Sequence, residues 1–379
     1  MESMVNSSFW SGKKVFLTGH TGFKGSWLSF WLTLMGAEVK GLSLEPNTRP
    51  ALFEQLGLSE HLSHHIGDIR DGELVSRLIQ PWQPDVIFHL AAQPLVRRSY
   101  IESVATWNIN VMGTIHVLEA LKTLTHPCAA IFITTDKCYE NREWVYGYRE
   151  NDPLGGYDPY SSSKAGAELA IASWRNSFFK TCQTPIGIAS VRAGNVIGGG
   201  DWAEDRIVPD AMRSLMAKEA IPVRNPQATR PWQHVLEPLG GYLSLAERIY
   251  QQLITPNWEQ DQDKLYGAFN FGPVLASNRS VKDLVECILS HWSGEWLDQS
   301  DPNAVHEAKL LNLVTDKAFH TLNWQPVWNF EQTIEKTVNW YYQANQISVG
   351  DKEQFQALTQ VQIKAYQNDA QKPLINAFG

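Results

Sequence analysis

Tyr160 and Lys164 are four positions apart, the spacing at which two side chains lie on one face of a helix. Asp158 and Pro159 precede them and are typical of an N-cap followed by a first helical residue. A lysine ammonium beside a phenol favours the phenolate, and a bound cationic ring would add a second positive charge. We therefore expect the pKa of Tyr160 to lie below its usual value of about 10, so that Tyr160 can act as a general base. Taken alone, the pattern also arises by chance on exposed helices.

Three polar residues, Thr135, Asp136 and Lys137, directly follow a predicted strand. The carboxyl ends of parallel strands form the edge of the sheet at which ligands bind. A hydroxyl, a carboxylic acid and an amine would then be available together for acid–base chemistry. A polar surface loop after a strand is the alternative.

Gly19, Gly22 and Gly25 lie between the first predicted strand and the first long predicted helix, with Phe23 inside the same loop. Their G-x-x-G-x-x-G spacing departs from G-x-G-x-x-G, but the physical requirement is the same. Missing side chains allow a tight turn and close approach of a pyrophosphate, whose charge the N–H groups at the helix start stabilise. The loop is predicted to bind a dinucleotide, and a glycine-rich turn without a ligand is the alternative.

The sequence does not distinguish NAD from NADP as clearly as it indicates a dinucleotide. An acidic residue about 20 positions after the glycine loop usually binds the adenosine ribose and favours NAD. Ser43 stands near that place, followed by Glu45 and Arg49. These residues leave NADP possible.

Two further segments are candidate cofactor contacts. Asp68 and Ile69 follow a third predicted strand and could contact the adenine, although an exposed turn is almost equally compatible with them. Leu90, Ala91 and Ala92 end a fourth strand, and their small side chains suit close passage of a cofactor.

The elements needed to position these residues are visible in the first half of the chain. Short β-branched runs alternate with helical patterns, which predicts a doubly wound parallel sheet, the Rossmann fold, with helices on both faces. One helix has apolar residues near a 3.6-residue period, and Gly36 is placed to end it. The predicted strands are Lys14–Thr18, Val39–Leu44, Val86–Leu90, Ala129–Thr134 and Ile186–Val191.

Glycine and proline punctuate the chain from about residue 194 onward. We therefore predict a dinucleotide-binding domain at 1–193 and a smaller, mixed α/β domain, mainly for substrate, at 194–379.

Composition limits the classes of function. The 379 residues carry a formal charge of −8 with a pI of about 5.8, which argues against nucleic-acid binding. Fifteen Trp, 15 Phe and 12 Tyr supply enough apolar surface to exclude a disordered chain. Four widely spaced cysteines suggest neither a metal site nor a disulfide framework, and no signal peptide or membrane span is recognisable. We expect a soluble, cytoplasmic protein.

Several motifs occur in the order seen in extended short-chain dehydrogenases/reductases, and the resemblance covers most of the chain. Within that superfamily the chain resembles the nucleotide-sugar 4,6-dehydratases. The dTDP-glucose enzymes carry Asp-Glu where this chain has Asp136-Lys137, so the pair favours the branch acting on CDP-glucose. The motifs are Thr18-Gly19-x-x-Gly22-x-x-Gly25, His89-Leu90-Ala91-Ala92-Gln93, Asn110-Val111-Met112-Gly113-Thr114, Thr135-Asp136-Lys137 and Tyr160-Ser-Ser-Ser-Lys164.

The resemblance implies an internal redox cycle on CDP-glucose, with NAD as the cofactor, in deoxysugar biosynthesis of the O-antigen type. It implies that Tyr160 takes the proton from the sugar O4 while C4 gives hydride to NAD and Thr135 helps to hold O4. Lys137 would remove the C5 proton, Asp136 would protonate the departing C6 hydroxyl, and hydride would return to C6. An amine can act as this base only if its pKa is lowered.

The resemblance also implies that Asn195, Arg206 and Arg230 grip the diphosphate and nucleotide, although each could form a surface or interdomain ion pair instead. It implies a homodimer joined by a four-helix bundle, to which each chain contributes helices beginning near Val104 and Tyr160.

A dehydratase of another nucleotide hexose and a nucleotide-sugar 4-epimerase are close alternatives. Epimerisation at C4 needs no acid–base pair for eliminating water across C5 and C6, so the Asp136-Lys137 pair separates it from dehydration. A non-enzymatic dinucleotide-sensing module is a third alternative, but such a module has no reason to retain Thr135, Tyr160 and Lys164 together.

Overall fold

Three apolar residues follow one another in the first strand because both faces of the sheet are covered there. In the strand Lys14–Thr18, Val15 and Leu17 point into one apolar core and Phe16 points into the other. This computed structural model describes residues 5–180, 182–258, 262–300 and 310–372. The two ends of the predicted domains, residues 1–4 and 373–379, lie outside the described residues.

The strands are β1 Lys14–Thr18, β2 Glu38–Ser43, β3 Ser63–Ile66, β4 Val86–His89, β5 Cys128–Ile133, β6 Ile186–Arg192, β7 Val196–Ile197, β8 Ile221–Val223, β9 Thr229–Pro231, β10 Gln233–His234, β11 Gly267–Asn270, β12 Asn278–Ser280 and β13 Trp296–Asp298. The α-helices are α1 Ser7–Trp10, α2 Phe23–Leu34, α3 Leu52–Gln55, α4 Gly72–Ile79, α5 Val96–Ile101, α6 Ser103–Trp107, α7 Gly113–Leu121, α8 Pro159–Trp174, α9 Ile207–Ala217, α10 Leu236–Leu253, α11 Gln262–Leu265, α12 Val281–His291, α13 Asp316–Leu322, α14 Phe330–Ala344 and α15 Lys352–Ala370.

Seven parallel strands form the main sheet, in the order β11-β6-β5-β4-β1-β2-β3. The predicted doubly wound class is confirmed, and the five predicted strands agree with the observed ones to within one residue at each end. Helix α2 ends at Leu34, and Gly36 has a φ of +80°, as the predicted helix end requires. The strand order reverses between β1 and β4, the point at which ligands bind at the carboxyl ends of such sheets.

The main sheet includes a strand from beyond the predicted domain boundary at residues 193 and 194. Strand β11 pairs with β6, and α10 packs on β5 and β6, although both elements lie in the range assigned mainly to the second domain. The short segment Gly267–Asn270 has no strong strand pattern, and only its pairing with β6 makes it a strand. The division at residues 193 and 194 therefore stays a prediction.

The rest of the second half is built from small two-stranded sheets, β7 with β10, β8 with β13 and β9 with β12, and from helices that include α14 and α15. Its aromatic side chains, including Trp324, Trp340 and Tyr366, belong to the same apolar core as α2. No helix among the described residues is long and apolar enough to cross a membrane.

Candidate functional site

The glycine loop is held against the end of β4. Gly19 has a φ of +76°, and a Cβ there would lie 2.7 Å from the backbone nitrogen of Ala91. A Cβ on Gly25 would lie 2.1 Å from the Gly19 carbonyl oxygen. Gly22 is exposed, and the nearest atom to its Cβ would be 3.5 Å away. The first and third glycines therefore allow the loop to pack, and the second leaves open space at the start of α2.

This arrangement fits the pyrophosphate of a dinucleotide. Helix α2 begins at Phe23 with Gly22 as its N-cap, and no side chain caps the helix, so its first N–H groups face the open space. Phe23 is half-buried, and a Cβ on Gly198 would lie 3.3 Å from its ring. Leu90, Ala91 and Ala92 are all partly exposed after β4, which leaves that edge accessible.

At the position where an acid commonly binds the ribose, two hydroxyls are paired instead. The hydroxyl oxygens of Thr21 and Ser43 are 2.7 Å apart, and Thr21 also donates to the carbonyl of Leu44 at 2.9 Å. Arg49 is exposed. The ribose end of the loop is therefore neutral and polar.

Asp68 and Ile69 have different surroundings. The Asp68 carboxylate pairs with Arg70 at 2.6 Å, and this pairing lowers the pKa of Asp68. The Ile69 side chain is buried, and a Cβ on Gly113 would lie 2.7 Å from it. Ile69 thus packs in the core below α7, and only its backbone is available for an adenine.

The segment after β5 forms a tight turn that holds three of the predicted catalytic residues. The Thr135 hydroxyl accepts from the Lys137 backbone N–H at 3.3 Å and donates to Asp136 Oδ1 at 3.0 Å. Asp136 is 2% exposed, and its second carboxylate oxygen has no hydrogen-bond partner. A Cβ on Gly194 would lie 1.7 Å from that oxygen, so Gly194 makes room for it.

Burial raises the pKa of Asp136, although Lys137, the Thr135 hydroxyl and Lys24 oppose the increase. A raised pKa suits a carboxyl group that must donate a proton near neutral pH. Lys137 is half-buried next to it.

Helix α8 carries Tyr160 and Lys164, with Asp158 as the predicted N-cap and Pro159 as the first residue. The Thr135 hydroxyl influences the pKa of Tyr160, which places the phenol beside the turn after β5. The Lys164 ammonium donates to the carbonyl of Ile133, the last residue of β5, at 3.2 Å. Three of the predicted catalytic side chains therefore meet at one edge of the sheet.

The low pKa expected for Tyr160 depends in part on a bound oxidised nicotinamide, and it stays a prediction, because the protein by itself shows the opposite shift. Burial raises the pKa of Tyr160 to about 12, and the Thr135 hydrogen bond and Arg206 reduce the increase only partly. Burial also lowers the pKa of Lys164 to about 8. The sequence shows the spacing of the two side chains, but it does not show how deeply the fold buries them.

A buried polar network behind these residues was missed by the sequence analysis. Glu168 accepts hydrogen bonds from Thr134 at 2.5 Å and Ser190 at 2.7 Å, and it pairs with Arg192 at 2.8 Å. The side chains of Glu168 and Arg192 are each 3% exposed. The four-residue spacing of Lys164 and Glu168 on one helix was the available signal.

Lys24 is a second residue missed by the sequence analysis. It lies between the second and third glycines of the loop, and its side chain interacts electrostatically with Arg206, Asp136, Lys164 and Asp201. Its place inside the quoted loop was the available signal, but only the tertiary structure shows that its charge faces the acid–base residues.

The three predicted substrate residues occupy different elements. Arg206 is the N-cap of α9, pairs with the buried Asp201 at 2.8 Å and interacts electrostatically with Tyr160. Asn195 follows β6 with a φ of +49°, and its carbonyl accepts from the Gln233 backbone N–H at 3.3 Å. Arg230 lies in β9, which pairs with β12 in a separate sheet. Arg206 is thus brought to the catalytic side chains, whereas Asn195 and Arg230 are held by other strands.

Among the described residues, no group of three or more His, Cys, Asp or Glu side chains could hold a metal ion.

The fold and this site define a short-chain dehydrogenase/reductase of the extended type. The sequence profile of the GDP-mannose 4,6 dehydratase family matches residues 16–337. The chain belongs to this family of nucleotide-sugar 4,6-dehydratases, which confirms the resemblance seen in the motifs.

Two relatives agree with this assignment. The chain is 49% identical over 343 residues to CDP-glucose 4,6-dehydratase of Salmonella typhimurium, covering 89% of this chain and 93% of that protein. A dTDP-glucose 4,6-dehydratase of Xanthomonas campestris is 26% identical over 352 residues, covering 86% and 92%.

The structure of dTDP-glucose 4,6-dehydratase from Bacillus anthracis in complex with NAD matches with a TM-score of 0.71 at 20% identity, covering 88% of this chain and 98% of that one. A UDP-glucose 4-epimerase from Thermotoga maritima with UDP-glucose has a TM-score of 0.69 at 19% identity, covering 87% and 99%. These structures share the fold with this chain.

Proposed function

We propose that the protein converts CDP-glucose to CDP-4-keto-6-deoxyglucose and water, with NAD as the cofactor. The main support is the turn after β5. There a buried acid with one unpartnered oxygen and an amine adjoin a threonine whose hydroxyl influences the pKa of Tyr160. This arrangement supplies the proton donors and acceptors that oxidation at C4 and elimination across C5 and C6 require. The 49% identity to the Salmonella typhimurium CDP-glucose enzyme supports the choice of nucleotide.

The glycine loop, the exposed ends of β4 and the paired hydroxyls of Thr21 and Ser43 suit a dinucleotide. Bound NAD supplies a hydride acceptor for C4 and a hydride donor for C6, so the reaction needs no external oxidant. Gly19, Gly22, Phe23 and Gly25 would hold its pyrophosphate. Leu90, Ala91 and Ala92 would line its path, with the Asp68 and Ile69 backbone toward the adenine.

Each residue at the sugar has one role in the proposal. Tyr160 takes the proton from O4, and Thr135 holds both the phenol and O4. Lys164 would place its positive charge toward the cofactor. The Thr135 hydroxyl and Arg206 partly offset the burial that raises the pKa of Tyr160. The substrate and the oxidised nicotinamide must supply the rest of that offset.

Elimination follows once C4 is a ketone, because the ketone acidifies the hydrogen on C5. Lys137 removes that proton, and Asp136 protonates the leaving C6 hydroxyl. A proton, exchangeable with solvent, returns to C5 when hydride returns to C6. The high pKa of Asp136 that burial produces keeps the required proton available. Arg206, Asn195 and Arg230 would bind the diphosphate and nucleotide, for which the forked donors of arginine are suited.

The experiment that tests the function offers the protein CDP-, dTDP-, GDP- and UDP-glucose in parallel. We expect only CDP-glucose to give the 4-keto product that absorbs ultraviolet light in alkali, and Tyr160→Phe to give none. Preference for another nucleotide sugar would show that CDP-glucose is not the substrate. Formation of a 4-epimer without loss of water would show that the protein is an epimerase. Cofactor binding with neither product would indicate a sensing module.

We also propose that two copies associate through α6 and α8. These helices pack together, and they expose Val104 (75%) and Leu169 (61%) to solvent. Apolar side chains of this kind on adjacent helices are suited to a four-helix bundle between two copies. Cytoplasmic location and a role in O-antigen-type deoxysugar synthesis stay predictions from the sequence.

A further inference from the structure

Lys24 is the second residue of α2 and stands between Gly22 and Gly25 in the glycine loop. Its ammonium forms no hydrogen bond and no ion pair within 4.0 Å among the residues that the structure describes. The charged groups that influence it are Arg206, Asp136, Lys164 and Asp201. Lys24 is therefore a cation that the surrounding protein does not pair.

The charged groups near Lys24 have other partners, so none of them pairs with the Lys24 ammonium. Asp201 pairs with Arg206 at 2.8 Å, and Lys164 donates to the carbonyl of Ile133 at 3.2 Å. Asp136 has one oxygen without a hydrogen-bond partner, so Lys24 does not reach it. Lys24 and the two cations that influence it thus outnumber the two carboxylates, so positive charge is in surplus beside the start of α2.

A partly buried cation without a partner is costly, and a bound anion would remove the cost. The first N–H groups of α2 already favour an anion at this place. A lysine at the start of a helix that follows a glycine loop is well placed to reach phosphate oxygens, as in phosphate-binding loops. The occupant of this position under the proposed function is the cofactor pyrophosphate.

We propose that Lys24 binds the pyrophosphate of the dinucleotide and supplies the main side-chain cation for cofactor affinity. The inference rests on the proposed function for the presence of a dinucleotide, but it is independent of which nucleotide sugar is dehydrated. Glycine loops of this kind bind phosphate mainly through backbone N–H groups, so a lysine adds a charge-assisted contact to them.

The test compares wild type, Lys24→Met and Lys24→Arg in calorimetric titrations with NAD⁺, ADP-ribose and adenosine, without a sugar substrate. ADP-ribose keeps the pyrophosphate and lacks nicotinamide, whereas adenosine lacks both. We expect Lys24→Met to weaken NAD⁺ and ADP-ribose alike by roughly tenfold to a hundredfold, the size of a lost charge-assisted hydrogen bond, and to leave adenosine unchanged. Lys24→Arg should recover most of the affinity.

Lys282→Met is the matched control, because Lys282 is an exposed lysine on α12 that forms an i,i+4 pair with Glu286. It should bind all three probes as wild type does. Thermal melts of each variant show whether the fold is intact. Wild-type affinity for ADP-ribose in Lys24→Met, or equal weakening of adenosine, would overturn the proposal.

The pH dependence gives a second readout. Burial is the main cause that lowers the pKa of Lys24 to about 8 in the protein by itself. Affinity of the wild type for ADP-ribose should therefore decline above about pH 8, while Lys24→Arg, whose guanidinium stays charged, should show no such decline. Identical pH profiles for the two proteins would contradict the phosphate contact. If this proposal fails, CDP-glucose dehydration by the wild type still tests the proposed function.

Discussion

Under the proposed function, the adjacent side chains of Asp136 and Lys137 act as the acid and the base of the elimination. The Asp136 carboxyl is buried, accepts a hydrogen bond from Thr135 and keeps one oxygen unpartnered, whereas Lys137 is half-buried. The first environment favours a proton donor, and the second leaves an amine within reach of the cleft. The division of roles can be tested at Lys137, because its removal leaves the oxidising residues in place.

We expect Lys137→Ala to reduce dehydration by about a hundredfold to ten-thousandfold, the range for loss of a general base. Entry of solvent deuterium at C5 should fall in parallel, because the same side chain removes that hydrogen. Oxidation at C4 should persist and be visible as reduced nicotinamide in a single turnover. Mass spectrometry of the sugar measures the deuterium.

Two further variants serve as controls for the Lys137→Ala experiment. Tyr160→Phe should stop oxidation at C4 yet bind the cofactor, which separates the first step from the second. Lys282→Ala, on an exposed helix face, should behave as wild type. Undiminished deuterium entry at C5 in Lys137→Ala would assign the base to another residue.

At the scale of elements, one buried carboxylate holds three of them together. Glu168 on α8 accepts from Thr134 after β5, and from Ser190 and Arg192 on β6. Helix α8 carries Tyr160, Thr135 follows β5, and Asn195 follows β6. Burial raises the pKa of Glu168, but Arg192 and the two hydroxyls outweigh it, so the pKa lies below its usual value.

We expect Glu168→Gln to lower the free energy of unfolding by about 3–5 kcal/mol, because it leaves the Arg192 guanidinium buried without a counter-charge. A carboxyl group with a depressed pKa stabilises the fold above its unfolded pKa, and this stabilisation is lost as the pH falls through the folded value. The difference from wild type should therefore be largest near neutral pH and shrink below about pH 4.5. Urea titrations at several pH values measure it.

Glu286→Gln is the comparison, since it breaks an exposed i,i+4 pair with Lys282. Its cost should be about 0.5 kcal/mol or less. Equal losses for the two variants would show that the Glu168 network does not hold α8 to the sheet.

At the scale of the whole molecule, the active site is assembled by a sheet that draws on both halves of the chain. Strand β11 and helix α10 return to the sheet after the second half has begun, so the two halves share one apolar core. On the opposite face of the sheet, α6 and α8 leave apolar side chains exposed. Helix α8 also carries Tyr160, the proposed catalytic base, so association would restrict the movement of that helix.

We expect Leu169→Glu to convert a homodimer to a monomer, because a buried carboxylate without a partner opposes association. Analytical ultracentrifugation measures the mass of the assembly. Val361→Glu places the same charge on α15 at a side chain that is 64% exposed, against 61% for Leu169, and should leave the mass unchanged. A wild-type mass of one chain would contradict the dimer, and an unchanged dimer in Leu169→Glu would move the interface elsewhere.

From local patterns alone, the sequence determined the strands of the first half, the glycine loop and the helix start at Asp158 and Pro159. Those features depend on residues that are close together in the chain. Such residues set the apolar pattern of a strand, the missing side chains of the glycine loop and the cap of a helix. The order of motifs further determined the family, because few folds require all of them together.

Tertiary structure alone decided the environment of each reacting group. Burial raises the pKa of Tyr160 in the protein by itself, an effect that its spacing from Lys164 does not reveal. Gly194 makes room for the Asp136 carboxylate, and β11 joins the sheet from a segment with no clear strand pattern. Burial, desolvation and long-range contact are properties of the packed chain, and no spacing of residues along the sequence specifies them.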